Sequence, residues 1–146
     1  MIAHTIQLAL APVFLLVAMG NILNILSARL GRIVDRGRHL QALHGETSGP
    51  AHDMVVTEIR AIDRRIALIT RAISLLVLSG LLVGTTVAVL FLEEMADFKL
   101  ERLAAGFFLL AIALIMAGLT LLLSEIRIAA TSLRVPLDYL ELHRDL

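Results

Sequence analysis

Residues 72–92 read AISLLVLSGLLVGTTVAVLFL, twenty-one positions without a charged side chain. A helix rises about 1.5 Å per residue, so this run reaches roughly 30 Å, the thickness of a bilayer's hydrocarbon core. Ile6 to Ala28 upstream and Leu103 to Leu123 downstream share the property. The three runs predict an all-α membrane protein with three transmembrane helices, at about 6–28, 72–92 and 103–123, in a single domain of 146 residues.

Composition supports this reading and excludes several functions. A hydrophobic content of 58% and a mean hydropathy of +0.87 exceed what soluble domains of this length carry. Thirteen basic residues balance thirteen acidic ones, and tryptophan is absent, so neither a global charge nor stacking platforms favour nucleic acid. The absence of cysteine excludes disulfides, thiolate metal ligands and thiol redox chemistry. No basic residue precedes the first run, it is longer than a signal-peptide core, and no small-x-small cleavage site follows it, so it reads as a retained span.

Eleven of the thirteen basic residues fall between the first and second runs or after the third. Lys99 and Arg102 alone lie in the other connection, among Glu93, Glu94, Asp97 and Glu101. The positive-inside rule then predicts a multi-pass protein with the N-terminus outside and the C-terminus in the cytoplasm; in a bacterium the membrane is the cytoplasmic (inner) one.

The polar segment at about 29–71 continues the pattern of its flanking spans. Val55, Ile59, Ile62, Ile66, Ile69, Ile73, Leu76 and Gly80 alternate steps of four and three, and the intervening Glu58, Arg60, Asp63, Arg64 and Arg65 make the first half of that seam amphipathic. One helix from near Pro50 to about Leu92 is expected. Leu26, Leu30, Ile33 and Leu40 hold one face of a matching extension of the first span, and Gly45 to Pro50 supplies the break. The prediction is a cytoplasmic helical hairpin of coiled-coil character, joined by a third arm. Ile126, Ala130 and Leu133 carry that arm to a stop at Pro136, within a tail at 124–146 whose last residues are expected to be mobile.

Two stripes on the first helix are candidates for function. Gly20, Asn24, Ser27 and Gly31 form a narrow, small and polar face suited to helix packing, as does the GxxxG pair Gly80 and Gly84 on the second helix. Gln7, Phe14, Asn21, Ala28 and Asp35 repeat every seven residues, with Ala11, Ala18, Ile25 and Arg32 interleaved. With several copies around an axis, Gln7, Phe14, Asn21, Ala28, Arg32 and Asp35 would line a path with polar rings near mid-membrane and at both mouths. Isoleucine at both core positions of the seam favours assemblies larger than a dimer, so a homo-oligomer of four or more subunits is expected.

The densest charge cluster is RLGRIVDRGR at 29–38. Arginines at the cytoplasmic end of a membrane helix suit the helix dipole and anionic headgroups, making Arg29, Arg36, Arg38, Arg64 and Arg65 candidates for binding lipid or a cytoplasmic protein partner. Asp35 is expected to pair with Arg32 or Arg38, or with Arg64 or Arg65 across the hairpin. His39, His44 and His52 match no metal-ligand spacing, and the acidic outer connection reads as a solvated loop. No P-loop, HExxH, GxSxG or paired-carboxylate pattern occurs, so no enzyme activity, catalytic residue, metal or cofactor is predicted. A small ion-conducting pore lined by the first helix is the leading reading. A non-enzymatic scaffold or regulatory subunit, binding through its basic hairpin, is the alternative.

The stretch IQLALAPVFLLVAMGNILNILSARLGRIVDRGR, with RRIALITRAISLLVLSGLLVG and SEIRIA later, resembles the bacterial inner-membrane domain-of-unknown-function family 2721. Ala11-Pro12 and the Arg-Ile-Val-Asp-Arg motif at 32–36 carry the resemblance, which runs from about Ile6 to Ala129. It implies a three-span membrane protein and brings no activity, ligand or catalytic residue with it.

Overall fold

The computed structural model describes residues 2–96 and 99–132, with side chains for 6–96 and 99–130. The chain folds into α1 (Ile2–Glu46), α2 (Pro50–Ala96) and α3 (Glu101–Ser132). All three are long and apolar enough to cross a membrane, the architecture of a multi-pass membrane protein. At 45 and 47 residues, α1 and α2 each extend roughly 70 Å, about twice a hydrocarbon core, so a polar two-helix arm continues beyond the apolar runs. Asp97 and the part of the tail from Leu133 on, Pro136 included, lie outside the described residues.

The α1–α2 break falls at Thr47 to Gly49. Gly49 takes a left-handed backbone (φ 66°), its carbonyl accepts from the His52 and Asp53 amides, and Pro50 opens α2 with a φ already suited to a helix. Gly45, included in the expected break, is still helical.

α2 lies between the other two helices, and α1 and α3 pack on it without close backbone approach to each other. The packing runs in steps of seven. On α1, Met19, Leu26, Ile33 and Leu40 are buried; on α2, Ile62, Ile69, Leu76 and Val83 form one row and Ala72, Ser79 and Thr86 a second. Val55, Ile59, Ile66 and Ile73 of the expected seam are partly buried against this core. On α3 the buried row is Ala104, Ala111, Gly118 and Glu125. Ile126 and Ala130, expected on the packed face, are exposed, and their neighbours Glu125 and Ala129 are buried instead.

The small α3 row brings two backbones together inside the apolar region. A Cβ on Gly118 would meet Leu76 Cγ at 3.2 Å and the Ala72 carbonyl oxygen at 3.4 Å. Seven residues earlier, the buried Ser79 hydroxyl donates to the Ala111 carbonyl at 2.8 Å, an interhelical bond worth about 0.6–2 kcal/mol in lipid. Of the GxxxG pair, Gly80 faces Met19 and Leu16 of α1, whereas Gly84 faces open space.

Gly118→Leu should therefore lower stability by about 1–3 kcal/mol through overpacking, while Gly84→Leu should have little effect. Thermal loss of helical circular dichroism in nanodiscs compares the two directly.

Candidate functional site

Where the apolar runs give way to the polar arm, each helix contributes one charged residue to a common junction. Arg29 lies three positions after the buried Leu26 on α1, and Arg65 three after the buried Ile62 on α2. Both flank their helix's packed face. Glu125 continues the buried small row of α3 one heptad past Gly118, and its side chain is 0% exposed. Arg29 Nη2 donates to Glu125 Oε2 at 2.7 Å. Arg65 Nε donates to Oε1 at 2.9 Å, and its Nη2 lies 2.9 Å from the same oxygen. One carboxylate thus joins all three helices, including the two whose backbones stay apart.

Beside this clamp, α1, α2 and the end of α3 enclose a cleft of about 550 Å³ lined by Arg29, Arg32, Arg36, Arg65 and Glu58 over Ile33, Ala61, Ile62 and Ala129. Arg36 pairs with Glu58 across its mouth, with Nη2 at 2.8 Å and Nε at 2.9 Å from Oε1. Both members are substantially exposed, so the pair is worth little and exchanges readily. Arg32 has no ion-pair partner among the described residues, and the buried Arg29 Nε lacks an acceptor. Among the described residues, four arginines meet two carboxylates, Glu58 and Glu125, an excess of two positive charges.

The sequence candidates separate into distinct groups. Arg29, Arg36 and Arg65 come together at the cleft with Arg32. Arg38 lines a smaller groove on another face, with Gly37, Gln41 and Asp63, and Arg64 is exposed. Asp35 pairs with none of its expected partners, because Arg65 turns to Glu125 and Asp35 sits on the exposed side of α1. Gln7, Phe14, Asn21, Ala28 and Asp35 are all exposed, two positions, or about 200° of helix, from the buried row. Gly20, Asn24, Ser27 and Gly31 are exposed as well, and no atom of another helix approaches Gly20 or Gly31. His44 and His52 face each other near the hairpin tip with ring centroids 4.4 Å apart, and His39 is exposed. Among the described residues no group of three or more potential ligands is placed to hold a metal ion.

Glu125 and Glu58 are the residues that sequence reasoning missed. A signal for Glu125 was present: it is the first acid after the third run and stands in heptad register with Ala104, Ala111 and Gly118. A charge on a small, packed row needs opposite charges from neighbouring helices.

Residues 9–135, which include every residue of the clamp and the cleft, match the model of a family described as "Protein of unknown function (DUF2721)". No curated protein and no solved structure matches the chain.

Removing one member of a buried ion cluster strands the others, whereas replacing all of it with apolar groups can be neutral. Glu125→Ala should lower stability by about 3–5 kcal/mol, and the triple variant Arg29→Leu, Arg65→Leu, Glu125→Leu should recover much of that loss. Chemical unfolding in detergent micelles, followed by circular dichroism, tests the ordering.

Proposed function

The chain belongs to the DUF2721 family, and we propose that it is a homo-oligomeric membrane protein in which α1 of each copy faces a shared axis and lines a small ion-conducting pore. The supporting observation is the contrast between α1 and its neighbours. In the apolar parts of α2 and α3, hydroxyls are satisfied within the protomer: Ser74, Thr85, Thr86, Thr120 and Ser124 donate to carbonyls of their own helices, and Ser79 bonds across to α3. On α1, Gln7, Asn21, Asn24 and Ser27 make no side-chain hydrogen bond and are exposed. Lipid cannot satisfy an amide, so these groups require either other copies or a column of water, and a ring of α1 helices supplies both. In that ring Asn24, Ser27, Gly20 and Gly31 suit contacts between copies, while Asn21 and Gln7 form polar rings and Asp35 stands at the inner mouth. Arg32 lines the basic cleft, which leaves Asp35 as the charged residue of that mouth.

The arginine distribution supports a bacterial inner-membrane setting, with the α1–α2 hairpin in the cytoplasm and the N-terminus outside. We propose a non-enzymatic role: the charged groups described at the junction are arginines and ion-paired carboxylates. The basic cleft favours a second reading, a scaffold or regulatory subunit that takes an anionic lipid or a cytoplasmic protein on its hairpin.

Purified protein in planar bilayers is expected to conduct. Asn21→Leu should cut or abolish the current and Asn21→Asp should shift it toward cations, with assembly size unchanged. Equal conductance and selectivity in all three forms would contradict the pore.

A further inference from the structure

We infer that the cleft between α1 and α2 is a binding site for a phosphate group, and that its occupant is the headgroup of an anionic phospholipid. The inference deepens the basic-hairpin reading and is independent of the pore. The arginines there are unequal in a way that suits a ligand. Glu125 holds Arg29 and Arg65 in place, so the inner wall is preorganised and loses little entropy on binding. Arg32 has no ion-pair partner among the described residues, and the exposed Arg36–Glu58 pair can open to release a second guanidinium. Guanidinium forks match phosphate oxygens in pairs, and the excess positive charge remains after both carboxylates are counted.

Position favours a lipid as the source of the phosphate. Arg29 directly follows the first apolar run, and the second run begins seven residues after Arg65, so the cleft lies at headgroup depth. Its floor of Ile33, Ala61, Ile62 and Ala129 is apolar and suits the glycerol and upper acyl carbons of a lipid better than a fully hydrated anion.

Generic attraction between basic residues and an anionic surface would depend on the number of arginines and not on which ones are present. The test therefore compares charge-matched double variants of the full chain: Arg32→Gln with Arg36→Gln inside the cleft, and Arg38→Gln with Arg64→Gln outside it. Each protein is placed in phosphatidylcholine nanodiscs doped with phosphatidylglycerol, and retained lipid is counted by native mass spectrometry. A parallel arm uses undoped nanodiscs with inorganic phosphate in solution. The expected result is one retained phosphatidylglycerol per protomer, weakened about tenfold or more by the cleft pair, as charge-assisted hydrogen bonds predict, and unchanged by the outer pair. Glu58→Gln, which frees Arg36, should strengthen retention. Equal weakening by both pairs would overturn the cleft while leaving general lipid attraction by the hairpin intact. No retention by the unaltered protein would overturn both. Retention of inorganic phosphate without phosphatidylglycerol would overturn the lipid assignment in favour of a soluble ligand.

Discussion

A carboxylate removed from water is several kcal/mol unfavourable unless its oxygens are fully engaged, and Glu125 is wholly buried. Its two oxygens are served by Arg29 from α1 and Arg65 from α2, and this requirement fixes more than one contact. The height of α3 is set because Glu125 must stand level with both arginines. The rotation of α1 is set because Arg29 must point inward, in agreement with the Leu26 and Ile33 row beside it. The α1–α2 packing comes from apolar rows that tolerate sliding by a heptad, whereas a charged junction has one register. Buried ion clusters add little net stability compared with apolar packing, so we read this one chiefly as a register device.

Once the rotation of α1 is fixed, its remaining faces have defined surroundings. Within residues 72–92 and 103–123 the exposed surfaces of α2 and α3 carry apolar residues such as Leu81, Leu109 and Met116, and their exposed hydroxyls, Ser74, Thr85 and Thr120, bond to carbonyls of their own helices. The exposed face of α1 carries Phe14 and Val17 but also Gln7, Asn21, Asn24 and Ser27. The same inward turn of Arg29 opens the arginine-lined cleft at the end of the apolar region. The clamp thus separates the exposed polar face of α1, the contact surface of the proposed oligomer, from the arginine-lined cleft at the end of the apolar region.

The two-helix arm was legible in the sequence because polar residues surround its apolar seam: with Asp63, Arg64 and Arg65 between them, Ile62, Ile66 and Ile69 could face only one way. Within the spans that contrast disappears. Every position of 72–92 and 103–123 is uncharged, so periodicity could not single out Gly118 against Leu76, or Ser79 against Ala111. GxxxG spacing placed Gly80 and Gly84 together, yet they lie 40° apart around the helix, and the packed sector includes one of them. The ionic partners were harder still. Asp35 had several arginines within reach by spacing along α1 and across the hairpin, while Glu125 met Arg29 and Arg65 across sequence separations of 96 and 60 residues. Only the relative heights of three helices select between such pairings, and no single helix's sequence encodes them.

In the proposed oligomer, α1 packs against its own protomer on one side and, around a shared axis, against other copies on the other. The subunit count tests it most directly, by native mass spectrometry of protein released from nanodiscs without prior detergent exchange. A closed assembly of four or more copies is expected. A monomer would contradict it, since Asn21 and Asn24 would then stand in lipid without a partner, and a dimer would leave no axis for α1 to line.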